Sequence, residues 1–250
     1  MKMKEIPKIE SRLEFKNSSE NPEVAELYLY GTIGNGWFDD ITSGNVKEFL
    51  NTSDVSQLNV HVNSGGGDVF ESIAIHNLLK SHSAKISIYI DGLAGSGASV
   101  IAMAGDEIIM PRNAMMMIHK AWTVAAGNAD EFRKVANDMD KIDHAVTESY
   151  TGRFVGEREE LVTLLTNEEW LTADECMALG FCDSVGEIQL NENEDEPEDS
   201  NENEAQTVAS IVDKYKVVAS TEKKKIETKN NIFKSIANRS DAFLLGGNDK

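Results

Sequence analysis

The sequence predicts an α/β fold, a partly parallel sheet flanked by helices, on three observations. "VAELYLYGTI", residues 24–33, alternates apolar and polar positions as a half-buried strand does. "LNVHVNSGGGDVFESIAIHNLLKSH", residues 58–82, runs from a β-branched strand through three glycines into an apolar-periodic helix. "KISIYI" then leads through Asp91 and Gly92 into "GLAGSGASVIAMAG", repeating the strand, glycine turn and helix. Two such units on short connections favour parallel pairing, because each helix carries the chain back across the sheet.

The remaining elements follow in chain order. Residues 1–23 are polar and weakly patterned, and are expected to be an N-terminal arm that needs a partner surface to become ordered. Gly31 marks a bend in the first strand. "WFDDITSGNVKEFLN" reads as a loop and a helix capped at Thr42 or Ser43, with Val46, Phe49 and Leu50 on one face. In the glycine-led helix that starts near Asp68, Ile73, Asn77 and Leu78 fall about a turn apart, and the second such helix is expected from Ser96 to Ala104. "DEIIM" and "NAMMMIHKAW" are short strands separated by the turn residues Pro111, Arg112 and Asn113. The clearest helix covers 128–150, where Phe132, Val135, Met139, Ile142, Val146 and Tyr150 recur at helical spacing behind a capping box of Asn128 and Glu131. A second box, Thr172 with Glu175, opens "TADECMALG", which Gly180 closes in a left-handed conformation, and "FCDSVGEI" supplies a last strand.

Composition bounds the partners. With 250 residues and 40% hydrophobic content, one substantial core is affordable, plus a tail. A net charge of -19 disfavours nucleic acid and anionic membranes, whose phosphates reward clustered Lys and Arg. Cys176 and Cys182 have no second pair and no nearby histidine, so neither a zinc site nor a disulfide framework is indicated. No signal-like or membrane-spanning run is seen, and a soluble intracellular protein is expected. "NENEDEPEDSNEN" carries no apolar residue except proline; residues 191–206 are expected to be a flexible acidic linker, and residues 207–250 an interaction or scaffold-like tail.

Three features can carry chemistry, and each has a plain structural reading beside it. Ser96 stands at a helix start among Ala94, Gly95 and Gly97, where unpaired N–H groups and a positive partial charge favour an attacking oxygen. It can equally be an N-cap in a close-packed stretch of small residues. Ser99 lies deeper, where a buried hydroxyl usually bonds a carbonyl one turn back. "NSGGGDVF" presents backbone N–H groups to an anion or is a tight turn, and it lacks the Lys-Ser/Thr of a phosphate loop. His119 ends an apolar strand near Trp122; it can serve a serine as general base if a carboxylate fixes its tautomer, or be a partly buried strand-end histidine.

Taken together, "ELYLYGTI", "VNSGGGDVFESIAIHNLLK", "GLAGSGASVIAMAGDEIIMP", "MMMIHKAW" and "WLTADECMALGFCDSV" resemble the proteolytic subunit family of the Clp protease, most of all its phage and prophage head-maturation branch. The resemblance covers roughly residues 24–190, the expected peptidase domain. It implies a ClpP/crotonase-like fold of repeated β-β-α units with a protruding long helix. It also implies a serine endopeptidase, ATP-independent or partner-assisted, with no cofactor and no metal. The family nucleophile lies nine residues before the glycine of "A-G-D", which is Ser96 counted from Gly105, not Ser99. The family base in "M-I-H" is His119, and its oxyanion donors correspond to Gly67 and Gly97. Where the family often has proline before its glycine pair, this chain has Gly65. The family acid, an Asp two residues before the aromatic of "F/W-L-T/S-A", falls on Glu168, a longer carboxylate; Glu169 is a substitute, Asp174 and Asp183 more distant ones. Implied partners are further copies in a heptameric ring or stacked heptamers, capsid or scaffold substrates and an ATPase, with neither nucleic acid nor membrane, in the cytoplasm (the host's, for a phage-encoded chain). The competing functions are a crotonase-like acyl-CoA enzyme, which leaves the serine and histidine unexplained, and a non-enzymatic capsid-assembly ring.

Overall fold

A computed structural model describes residues 9–18, 21–34, 41–52 and 54–186. Every described residue belongs to one compact unit, which is bounded at residue 187. The acidic linker and tail expected at 191–206 and 207–250 lie outside the described residues.

Strands and helices alternate. The order is β1 (Arg12–Asn17), β2 (Val24–Ile33), α1 (Ser43–Thr52), β3 (Gln57–Gly67), α2 (Val69–Lys80), β4 (Lys85–Gly95), α3 (Gly97–Ala102), β5 (Glu107–Met110) and β6 (Met115–Ile118). Then come α4 (Ala129–Thr151), α5 (Arg158–Thr166), β7 (Glu169–Thr172), α6 (Ala173–Leu179) and β8 (Ser184–Val185). This is a mixed α/β fold whose strand–helix alternation is consistent with a ClpP-like topology.

The sheet runs β1-β2-β3-β4-β5-β8, with β6 on β4 and β7 on β6. Pairing from β2 through β5 is parallel, as the two repeated units predict. Alternation decides which face is buried. Leu27 and Leu29 of β2, Leu58, Val60 and Val62 of β3, and Ile86, Ile88 and Ile90 of β4 are essentially inaccessible. Each such side chain contributes about 1.5–3 kcal/mol on leaving water. The opposite face carries Tyr28, His61 and Tyr89, ring stacked on ring across three strands with centroids 4.6 and 5.0 Å apart.

Two elements differ from the sequence reading. Residues 12–17, part of the expected arm, form β1 antiparallel to β2, so a surface of the same chain orders them. Helix α5 was not expected; Leu161, Leu164 and Leu165 bury its one apolar face. The caps follow the pattern: Asn128 with Glu131 and Thr172 with Glu175 both form reciprocal boxes, and Gly180 closes α6 at φ 85°. Thr42 caps α1, its hydroxyl accepting from Asn45 N–H at 3.3 Å. Among the described residues, no helix is long and apolar enough to cross a membrane.

Candidate active site

Strand β4 has two partners, and this builds the site. Its first half, Ser87–Tyr89, pairs with β5; its second half, Leu93–Gly95, pairs with β6. Asp91 and Gly92 lie between the halves, where the pairing with β3 also slips. The second ladder sets Gly95 beside Met117 in parallel. Both chains therefore end at one edge, with Ser96 just past Gly95 and His119 just past Ile118.

The side chains meet there: Ser96 Oγ and His119 Nε2 are 2.7 Å apart. Ser96 holds φ 52°, ψ −122°, a conformation that costs an L-residue about 1–3 kcal/mol and persists only where the surroundings enforce it. They do so from both sides, since Ser96 N–H donates to the Met117 carbonyl at 2.7 Å and the Ser96 carbonyl accepts from Ser99 Oγ at 2.5 Å. Ser96 makes no side-chain cap bond to α3, which removes the N-cap reading and leaves its hydroxyl to His119. Helix α3 accordingly starts at Gly97, one residue later than expected.

Ser99 is the packing serine. It is fully buried, and its hydroxyl also lies 2.7 Å from Tyr150 Oη on α4. Burial drives the Tyr150 phenol well above its usual range, so it stays protonated.

The glycines bring the backbone close. A Cβ on Gly67 would sit inside the Ile33 carbonyl of β2, and one on Gly97 would overlap Ser72 Oγ of α2. From that same Gly97 position, the Gly67 nitrogen is 3.6 Å away. Gly67, Gly97, Ser96 and His119 line one cleft of about 290 Å³. Trp122, Met139, Ile142 and Val146 supply its apolar wall.

Burial lowers the His119 pKa, partly countered by the negative charges of Glu168 and Asp143. The neutral ring is thus favoured near pH 7, with a lone pair free to take a proton. Strand β7 pairs antiparallel with β6, Ile118 opposite Glu169, so the next step outward brings Glu168 across from His119. Glu168 is exposed and sits at φ 55°, where the chain turns into β7. Among the described residues, the side-chain hydrogen bond of His119 goes to Ser96. Two of the alternative acids point elsewhere: Asp174 pairs with Arg112 at 3.3 Å, and Asp183 with Arg153 at 2.9 Å. Asp143 was not among the expected residues. Its signal was there, because it falls four residues after Met139 and three before Val146, an acid inside the apolar stripe of α4.

Cys176 and Cys182 are buried free thiols. Among the described residues, no group of three or more His, Cys, Asp or Glu is arranged to hold a metal ion.

The family model described as "Clp protease" matches residues 29–189. The "ATP-dependent Clp protease proteolytic subunit" of Deinococcus radiodurans is 26% identical over 132 residues, 52% of this chain. The chain covers 64% of that relative's length. With both glycine turns, the serine and the histidine all inside the matched segment, the chain belongs to the Clp protease family.

Proposed function

We propose that this protein is a serine endopeptidase in which Ser96 is the nucleophile, His119 the general base and then acid, and Glu168 the carboxylate that orients His119. The observation that carries the reading is the 2.7 Å contact between Ser96 Oγ and the neutral-favoured imidazole of His119, in a cleft shared with Gly67 and Gly97.

Ser96 Oγ adds to the carbonyl carbon of a peptide bond while its proton passes to His119 Nε2. The N–H groups of Gly67 and Gly97 stabilise the resulting oxyanion. The C–N bond breaks as His119 returns that proton to the departing amine, leaving an ester on Ser96. Water then adds to the ester, losing a proton to His119, and the acid product leaves as Ser96 regains its proton.

Assembly and substrates belong to the same proposal. The protein works as a ring, a heptamer or stacked heptamers, which covers apolar side chains that are wet in the single chain: Phe132 at 50%, Trp122 at 64% and Val124 at 83% exposure. The relative's name, with its "subunit" and "ATP-dependent", is in keeping with a ring and an ATPase partner. On the resemblance to the head-maturation branch, the substrates are capsid or scaffold proteins in a phage-infected or lysogenic cytoplasm, recognised through residues 207–250 beyond the acidic linker 191–206.

A serine-directed fluorophosphonate tests the nucleophile. Covalent addition is expected at Ser96, is lost in Ser96→Ala and persists in Ser99→Ala. Labelling of a folded Ser96→Ala protein at an undiminished rate would overturn the assignment. Co-expression with candidate capsid and scaffold proteins, followed by mapping of new termini, tests the substrate class.

A further inference from the structure

Ser96 and His119 stand on the ends of different strands, and helix α4 is tied to both ends. On the serine side, Ser99 gives its proton to the Ser96 carbonyl at 2.5 Å, and the Tyr150 hydroxyl meets Ser99 Oγ at 2.7 Å. On the histidine side, Asp143 Oδ1 accepts from Ala121 N–H at 2.9 Å, two residues beyond His119, and Asp143 Oδ2 lies 3.8 Å from Lys120 Nζ. Positions 143 and 150 are two helical turns apart and share a face of α4.

The stretch that Asp143 holds has little else to hold it. Residues 119–126 follow β6 without joining a strand or helix. Among the described residues, their other backbone anchor is Lys120 N–H on the Leu165 carbonyl at 3.1 Å. The Asp143 side chain is only 15% exposed. A carboxylate so far out of water is costly unless its partners are fixed, and here the firm partner is the backbone beside His119.

We propose that Asp143 is a positioning residue for His119, acting through the Ala121 backbone, with Tyr150 and Ser99 as the matching tie to Ser96. Helix α4 thereby sets the separation of the two strand ends. The inference rests on the reading of Ser96 and His119 as the reacting pair. The charges that act on His119 are Glu168 from the approach to β7 and Asp143 from α4, with Lys120 drawn to Asp143.

The test uses the full chain in its assembled form, comparing Asp143→Ala and Asp143→Asn with wild type by short-peptide kinetics across about pH 5–9 and by fluorophosphonate labelling. Asp143→Ala frees the segment and is expected to lower kcat by about ten- to a hundredfold while KM stays within about threefold, as for a misplaced reacting group. Asp143→Asn keeps an oxygen for Ala121 N–H and should recover most of kcat. It also removes a negative charge near His119, so the acid limb of kcat/KM should move to lower pH, a shift that a purely structural role would not produce. Wild-type kcat in Asp143→Ala, or a kcat in Asp143→Asn no higher than in Asp143→Ala, overturns the proposal; if Asp143→Ala fails to assemble, Ala121→Pro, which removes the N–H that Asp143 accepts, decides by whether kcat falls while KM holds. Failure of wild-type protein to label at Ser96 would instead sink the underlying reading, so the two failures are distinguishable.

Discussion

Ser96 Oγ lies 2.7 Å from His119 Nε2 because β6 runs parallel to the second half of β4 and both strands end at the same edge. The contact is a product of sheet topology, reinforced by the backbone bond from Ser96 N–H to the Met117 carbonyl. Its chemical value depends on the protonation of His119, and burial sets that in the useful direction.

The first prediction is therefore a pH profile. His119 has a lowered pKa, so the neutral form persists below the ordinary histidine value of 6.5. Peptidase kcat/KM should rise with pH through an apparent pKa below 6.5 and be level at neutral pH. A limb centred above 6.5 would show that the base is another group or that Glu168 and Asp143 outweigh burial.

Glu168 provides the second. Its negative charge raises the His119 pKa, so Glu168→Gln should shift the acid limb down as well as lower kcat. Because Glu168 is exposed, solvent screens it, and the loss should be about tenfold to a hundredfold, less than for a buried orienting acid. Glu169→Gln should cost much less, and Glu168→Asp should retain part of the rate. Equal losses in the Glu168 and Glu169 variants, read by kcat at saturating peptide, would reject Glu168 as the orienter.

Much of this site is legible in the sequence, and the limits have physical causes. Strand–glycine–helix repetition predicts the parallel pairing because hydrophobic period and turn chemistry are local. Whether Ser96 or Ser99 faces the cleft is not local; the residue pattern alone left Ser96 open as an N-cap, and only the backbone turn at φ 52° and the partners of Ser99 separate the two hydroxyls. That β4 splits its pairing between β5 and β6 is a tertiary fact with no sequence period. Strand β1 was hidden because "RLEFKN" is short and charged, as edge strands often are. Helix α5 opens on Glu157, an unusual N-cap residue, so the usual start signal is missing.

The glycines give a third prediction. A methyl at Gly97 would collide with Ser72 Oγ, so Gly97→Ala must push α3 away from α2 or move Ser72. Gly97→Ala should cut kcat by about a hundredfold, the size of losing one oxyanion donor. Adding Ser72→Gly opens the space and should restore part of the rate. No rescue in the double variant, measured as kcat with assembly intact, would mean that the collision is not the cause.

Ser99 and Tyr150 give a fourth, in stability. Ser99→Ala leaves the buried Tyr150 hydroxyl without its partner and should cost about 1–3 kcal/mol. Tyr150→Phe should cost less, because Ser99 Oγ still donates to the Ser96 carbonyl. The double variant strands neither group, so its loss should be well below the sum of the two. Additive losses by denaturant unfolding would show that the hydroxyls are not coupled.

The last prediction concerns His61, on the sheet face away from the cleft. Its ring is stacked between Tyr28 and Tyr89, with Nδ1 2.9 Å from Asp91 and Nε2 3.0 Å from Glu26. A ring with carboxylates on both nitrogens satisfies both only as the imidazolium, donating twice. Burial opposes that charge, but the two hydrogen bonds and the negative charges of Asp91 and Glu26 outweigh it, and the pKa rises from 6.5 to about 9. Since the folded pKa is the higher one, the stabilisation is fully present below about pH 6.5 and is lost as pH rises through about 9. The shift corresponds to about 3 kcal/mol, an upper figure given its partial exposure. His61→Gln should therefore be less stable than wild type by about 2–3 kcal/mol at pH 6, with the gap narrowing by pH 10. The replacement also removes the aromatic stack, which is independent of pH, so a residual gap of about 1 kcal/mol should remain at high pH. Urea unfolding at the two pH values measures both parts; a gap that is constant, or that widens with pH, would mean that His61 is neutral in the folded protein.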